Sequence, residues 1–390
     1  MRHTTVAVAA LSIVLQLWNV AQGVEVYSGG MTIPLMITQA PDSFGTFGGD
    51  YIVPDPGVVL LWRVPQAGGA PLTFADLQSL GSEFRPTDTI FLPDTGWGEQ
   101  SGRMLMVAGN PNNLPPSLGL GPPGDIYTFG PDGAPQHLAK LDGVDLGAPF
   151  MISPRDTRFV PLGFGSGSKS GWLSVTDYQG GFLLLQPQVQ LDNSLRFHSE
   201  LLYDHNNPAV AGTALDVNPW GSAFAPAGFG NFGGRVLLAD CFTGDIIAVD
   251  ENGNAEAFTS VPLLDGQAGL RNLEFGPPDF LLDSLGIPGQ QLFVSVAKST
   301  VPYGDVLALD SNGQVVASLR VMHSLPAFNP RGLLFTADNQ LLVCDLVDPV
   351  VLAQPDDFVR GRYANVPEPS VLAMLVGFVM VYAIRRKRLG

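Results

Sequence analysis

Histidine, cysteine and cationic side chains are all scarce in this chain, and each scarcity removes a class of function. Five histidines, His3, His137, His198, His205 and His323, serve 390 residues. None stands in a GxSxG or HExxH setting, so serine-hydrolase and zincin chemistry have no support. Asp204 and His205 are an acid–histidine neighbour pair, but adjacent residues on a strand face opposite ways and make a poor dyad. The two cysteines, Cys241 and Cys344, form no CxxC and no metal-spaced cluster. They sit in like settings, LLADC and LLVCD, and free buried thiols are expected. A phosphate loop of the GxxxxGK[ST] kind is missing, and FGSGSKSG (164–171) lacks a following helix, so it reads as a turn. Lysine plus arginine total 20 against 36 acidic residues, a net charge of −16. That balance excludes nucleic acid as a partner, because such binding rests on cationic contacts to phosphate. Divalent cations and neutral glycans fit it, and so does plain solubility. Charged residues make up 14% of the chain and hydrophobic ones 45%, where about 25% charged is usual. A large buried core under a weakly charged surface follows.

Long apolar runs are confined to the two ends. Arg2 and His3 precede the apolar stretch 6–17, and Ala21-Gln22-Gly23 supplies a small-x-small pattern. This order predicts a signal peptide over residues 1–23, cleaved after Gly23. At the other end Val366-Pro367-Glu368-Pro369-Ser370 leads into the apolar stretch 371–384 and then Arg385, Arg386, Lys387 and Arg388. Cations behind an apolar helix stay on the cytoplasmic side, which puts the body outside. At 1.5 Å per residue the stretch spans roughly 21 Å against a hydrocarbon core of about 30 Å, a weak anchor. The two prolines mark its boundary as an extended elbow.

The Pro-Glu-Pro box, short apolar helix and terminal cationic cluster together resemble the PEP-CTERM sorting signal, here spanning 364–390. The resemblance implies processing near the box by an exosortase, in bacteria that make exopolysaccharide or biofilm matrix. In it Pro367, Glu368, Pro369, Arg385, Arg386, Lys387 and Arg388 are substrate positions rather than catalytic ones. A plain C-terminal membrane anchor has the same topology. The expected location is the inner membrane before processing, then the cell surface or medium.

Between the ends, residues 24–363 repeat themselves. GDIYTFGPDG from Gly124, GDIIAVDENG from Gly244 and GDVLALDSNG from Gly304 each give a strand followed by a turn that tolerates positive φ. Weaker copies begin at Gly57 and Gly180, and a sixth near position 348. A second unit precedes the first: FGTFGG (44–49) before DYIVPD, FGNFGG (229–234) before RVLLAD. Each repeat therefore reads inner strand, Gly-rich turn, second strand, third strand, turn, outer strand. Anchors 45 to 67 residues apart suit propeller blades, and six repeats predict an all-β, six-bladed β-propeller. Asp55, Asp240 and Asp345, with Asp177 nearby, recur at one place in the repeat, which argues for a structural job. The segments around Pro116 and 277–291 read as loop insertions.

NPRGLLFTADNQLLVCD (329–345) and RNLEFGPPDF from Arg271 resemble NHL and gluconolactonase-type propeller repeats, which implies fold more than activity. Candidates for the channel mouth are Arg271, Asn272, Glu274, Asn329, Arg331 and Asp216. Asn272, Glu274, Asn329 and Asp216 offer oxygen ligands of the kind a hard cation takes, and calcium would be that cation. Otherwise they cap strand ends and hold channel waters. No cofactor is required by the sequence. The favoured reading is an exported, non-enzymatic protein binding glycan or matrix protein. The alternative is a metal-dependent lactonase or sugar-oxidising enzyme of gluconolactonase-like type. Mass spectrometry of the exported protein should recover no peptide from 1–23 and none reaching Arg388; intact tail peptides would show that processing does not occur.

Overall fold

The computed structural model describes residues 24–27, 30–80, 85–109, 124–141, 153–178, 181–205, 207, 209–210, 212–213, 215–264, 267–298, 304–319, 329–346 and 350–361. The stretches expected to be signal peptide and sorting signal, Pro367 to Arg388 included, lie outside them, as does the segment around Pro116. No helix among the described residues is long and apolar enough to cross a membrane.

The described residues form a six-bladed β-propeller. Blade I comprises β2 (Thr38–Gln39), β3 (Tyr51–Asp55), β4 (Leu60–Val64) and β5 (Leu72–Asp76). Blade II comprises β6 (Arg85–Phe91), β7 (Met104–Gly109), β8 (Asp125–Phe129) and β9 (Pro135–Lys140). Blade III comprises β10 (Pro154–Phe159), β11 (Leu173–Asp177), β12 (Gly181–Val189) and β13 (Leu195–Asp204). Blade IV comprises β14 (Pro219–Phe224), β15 (Val236–Asp240), β16 (Asp245–Val249) and β17 (Ala255–Ser260). Blade V comprises β18 (Gln267–Phe275), β19 (Leu292–Lys298), β20 (Asp305–Leu309) and β21 (Val315–Leu319). Blade VI takes β22 (Pro330–Phe335), β23 (Leu341–Asp345) and β24 (Val350–Ala353) from late in the chain and β1 (Val24–Tyr27) from its start.

That last pairing closes the ring: Val24 lies opposite Leu352 and Glu25 opposite Val351, antiparallel. The chain then returns from β24 to add β25 (Phe358–Arg360) outside β21 of blade V. The predicted insertion 277–291 contains a one-turn helix, α1 (Leu282–Leu285), ended by Gly286 in the left-handed region.

Second strands such as Tyr51–Asp55, Leu173–Asp177 and Val236–Asp240 are buried along their whole length. Both faces of each meet a neighbouring blade, which explains continuous apolar runs in place of alternation. Six apolar clusters result, one between each pair of adjacent blades. Cys241 and Cys344 are buried free thiols, and burial pushes the Cys241 thiol up to about 12.

An aromatic pair recurs at five of these interfaces. A ring from the turn after one blade's inner strand meets, edge to face, the phenylalanine ending the next blade's inner strand. The pairs are Phe44–Phe91 at 4.7 Å, Trp97–Phe159 at 5.6 Å, Phe164–Phe224 at 5.1 Å, Phe229–Phe275 at 4.8 Å and Phe280–Phe335 at 5.0 Å. Two of these rings come from the FGxFGG units, whose glycines make the tight turn possible: Gly45 and Gly230 sit at φ of 57° and 53°. Edge-to-face pairs contribute about 0.5–1.5 kcal/mol each beyond area burial. At the closing interface between blades VI and I the equivalent inner-strand position is Gln39, and the contact is made by apolar side chains such as Ile37 and Val53 against Leu342 and Val350.

Truncation of Phe229, which is 2% exposed, to alanine should cost about 3–5 kcal/mol. Phe229→Leu keeps most of the volume, loses the ring contact and should cost about 1–2 kcal/mol. Urea unfolding of both variants checks this; a Phe229→Leu variant as stable as the wild type would mean that edge-to-face geometry contributes nothing.

Candidate functional site

The inner strands share a hexad that begins with proline and ends with phenylalanine. It runs Pro86–Phe91, Pro154–Phe159, Pro219–Phe224 and Pro330–Phe335, with Leu270–Phe275 in blade V and Pro34–Gln39 in blade I. Proline lacks an N–H and suits the first position of a strand. The second strand supplies the missing clasp. Pro154, Pro219 and Pro330 lie opposite Asp177, Asp240 and Asp345. Those carboxylates accept the backbone N–H just before each proline, from Ser153 at 3.2 Å, Asn218 at 2.8 Å and Asn329 at 3.2 Å. Asp55 does the same job in blade I, accepting from Thr32, Ile33, Gly57 and Trp62. The recurring aspartates are thus structural, as expected, though they chiefly hold the incoming inner strand. Asp55 and Asp240 also close the turn that follows.

With the hexads aligned, position three around the channel reads Met36, Asp88, Asp156, Gly221, Asn272 and Gly332, and position five reads Thr38, Ile90, Arg158, Ala223, Glu274 and Leu334. All of these except the two glycines line a cavity of about 330 Å³. The two glycines let neighbouring backbones close in: a Cβ on Gly221 would lie 2.3 Å from the Arg271 carbonyl, and one on Gly332 would lie 2.7 Å from the Met36 Cα.

Arg158 organises this pocket. It donates from Nη1 to Glu274 Oε2 at 2.6 Å, from Nη2 to the Leu273 carbonyl at 2.7 Å, and from Nε to Asp156 Oδ2 at 3.1 Å. Blades III and V are tied across the channel by these bonds. Asp156 also accepts from Ser222, through N–H at 2.9 Å and Oγ at 2.5 Å, and from Asn272 Nδ2 at 3.4 Å. The Asn272 Oδ1 accepts from Leu333 N–H at 3.1 Å. Burial works to lower the Arg158 pKa, but Asp156 and Glu274 outweigh it and hold the guanidinium above its ordinary value. Burial raises the Glu274 carboxyl, with Arg158 opposing. Asp88 accepts N–H bonds from Thr157 at 2.7 Å and Thr89 at 2.8 Å. Burial, followed by the Asp156 charge, pushes its carboxyl well above the ordinary range. The pocket therefore presents mixed donors and acceptors around a fixed guanidinium, rimmed by Phe159, Phe224 and Phe275. Calcium takes six to eight oxygens. Among the described residues no group of three or more His, Cys, Asp and Glu is arranged to hold a metal, and a cation here would compete with Arg158 for its carboxylates.

Position two places a different set at the opposite end of the channel: Arg155, Trp220, Arg271 and Arg331. The guanidinium carbons lie 4.4, 4.6 and 5.9 Å from the Trp220 ring centroid. Arg155 also lies over Tyr178 at 5.4 Å. Arg271 Nη1 donates to the carbonyls of Cys241 at 2.5 Å and Leu270 at 2.9 Å. Burial, then repulsion from Arg271 and Arg155, pushes Arg331 down to about 9. Burial pushes Arg155 down to about 10, against the pull of Asp177. Both remain charged at neutral pH.

The predicted residues therefore separate. Asn272 and Glu274 line the pocket; Arg271 and Arg331 belong to the opposite mouth. Asn329 is structural, its Oδ1 accepting from Lys298 N–H at 3.1 Å while its own N–H reaches Asp345. Asp216 lies on a loop, bonded to His205 Nδ1 at 3.1 Å and Gly212 N–H at 2.7 Å. The four proposed oxygen donors are thus not brought together. Asp88, Arg155, Asp156, Arg158 and Trp220 escaped the sequence reading. The Pro-x-x-x-x-Phe register was the signal that marks them.

The sequence matches no protein-family profile and no curated protein. Solved structures do match. A candidate gluconolactonase superposes with a TM-score of 0.50 at 14% identity, over 88% of this chain and 94% of that one. A catalytically inactive virginiamycin B lyase from Staphylococcus aureus, solved with quinupristin, gives 0.50 at 11% identity, over 85% of this chain and 98% of that one. The chain shares their propeller fold. At such identities the likeness extends no further than the fold.

Asp88 binds its proton more tightly folded than unfolded. Its contribution to stability thus grows as pH falls through the raised folded-state pKa toward the ordinary 3.8. Between pH 7 and pH 5 the wild type should gain stability relative to Asp88→Asn, whose amide has no such proton to take up. Denaturation midpoints of both proteins at the two pH values test this; parallel shifts would show that Asp88 is ionised in the fold.

Proposed function

We propose that the body is an exported, non-catalytic binding propeller whose channel pocket holds a neutral sugar unit of an extracellular or biofilm glycan. The carrying observation is Arg158 locked between Asp156 and Glu274. A guanidinium seated on both carboxylates leaves neither as a free general base and opposes a divalent cation at the same place. What remains is a rigid frame of planar donors and acceptors beside three phenylalanine rings. Such a frame suits hydroxyl pairs on a ring that also has an apolar face. A cavity of about 330 Å³ sits at the small end of ligand pockets, roughly 300–1,000 Å³. Export and surface sorting rest on the signal peptide and the PEP-type tail with its exosortase partner. This reading takes no metal or other cofactor, and a matrix protein is the second class of partner it admits.

Calorimetry of the purified body with maltotriose and cellotriose, with and without EDTA, tests the pocket. Saturable binding unaffected by EDTA is expected, weakened about tenfold or more in Glu274→Gln, since losing a charge-assisted hydrogen bond costs about 1.5–3 kcal/mol. Calcium-dependent opening of a sugar lactone by the same preparation would overturn the reading in favour of an enzyme.

A further inference from the structure

The mouth opposite the pocket carries features that neutral-sugar binding does not use. In a mature body with 15 cations (20 less Arg2, Arg385, Arg386, Lys387 and Arg388), three arginines from three blades converge on one indole. Like charges held this close repel, and each of Arg155 and Arg331 has its pKa lowered in part by its neighbours. The nearby aspartates do not quench them at short range: neither Arg271 nor Arg331 has a carboxylate oxygen within ion-pair distance among the described residues. Asp240 and Asp345 spend oxygens on backbone N–H groups instead. The Nε of Arg331 is buried without a hydrogen-bond partner, as is that of Arg271. Trp220 serves as the platform that keeps the guanidiniums together. Beside them Tyr178 packs against Trp220 at 5.9 Å and against Phe242 at 5.7 Å. Phe242 is 58% exposed, so its ring is open to a ligand at this mouth.

We propose that this arginine–tryptophan mouth binds the carboxylate of an acidic sugar residue, the guanidiniums of Arg271 and Arg331 holding the oxyanion and Phe242 covering the sugar's apolar face. Planar guanidinium forks match a carboxylate in two-point contact. An oxyanion there relieves the mutual repulsion of the arginines, which a neutral ligand does not. The site is separate from the pocket and shares no residue with it. An acidic glycan repelled by the body's net negative charge would be held at this cationic spot.

Titration with trigalacturonate, maltotriose and sodium sulfate, in low salt and in 0.5 M NaCl (roughly a 3–5 Å screening length), tests the proposal. Trigalacturonate should bind saturably in low salt, lose affinity in high salt, and bind at least tenfold more weakly to Arg331→Gln and Arg271→Gln. Phe242→Ser should weaken trigalacturonate and leave sulfate unchanged. Glu274→Gln, in the pocket, should leave both unchanged, so the two sites stand or fall separately. Should Arg331→Gln not fold, Arg331→Lys and Phe242→Ser carry the same test. Sulfate binding without trigalacturonate binding would overturn the acidic-sugar assignment. Equal affinity for maltotriose at this mouth, no saturable binding of either anion, or wild-type affinity in Arg331→Gln would overturn the site itself.

Discussion

Edge-to-face contact between a turn ring of one blade and the terminal phenylalanine of the next blade's inner strand governs the geometry of this protein. A propeller is a closed ring of wedges, so any error in the angle between neighbours accumulates around the circle. Aromatic pairs fix that angle because their quadrupoles favour one arrangement over a flat sandwich. Five interfaces use the device. The sixth joins the last blade to the first, and there Gln39 stands where a ring would be. That interface packs through Ile37, Val53, Leu342 and Val350 instead, while pairing of β1 with β24 inside blade VI joins early chain to late chain. Mechanically, the molecule has five ring-braced joints and a sixth without the ring pair, and the circle is clasped by a backbone seam inside blade VI.

Once the angle is set, the inner strands can vary at three positions without disturbing the wedge. Position three and position five face one cavity, and position two faces the other mouth. The two ends then diverge chemically. One has carboxylates brought close enough to need Arg158 between them. The other has arginines brought close enough to need an indole. Both are desolvated charge arrangements on an apolar scaffold, and both use strands from blades III and V.

Most of the fold was legible along the chain. Gly124, Gly244 and Gly304 each stand immediately before a third strand, at Asp125, Asp245 and Asp305. The x-Asn-Gly turns after them place Gly253 and Gly313 at positive φ. These are local signals, spelled out within about ten residues. The site was half legible for the same reason. Asn272 and Glu274 stand in a recognisable inner strand, but what they do depends on Arg158 and Asp156, over a hundred residues away. Asp216 turns its carboxylate to His205 and Gly212, a pairing that its neighbours in the sequence do not spell out. Asn329 lies one residue before the hexad, where the clasping aspartate takes it. Ring closure was not legible at all, since four residues at Val24–Tyr27 carry no repeat signature.

Both ends of the described chain finish on the outer rim, and on adjacent blades. β1 skirts blade VI, and β25 lies along blade V through three residue pairs, Ala317–Arg360, Ser318–Val359 and Leu319–Phe358. A body tethered by whatever follows Gly361 would hang by its circumference, like a wheel held at the tyre. Tension on that tether would reach β25 first. Three residues of edge strand would peel away as a fuse before any load reached the seam.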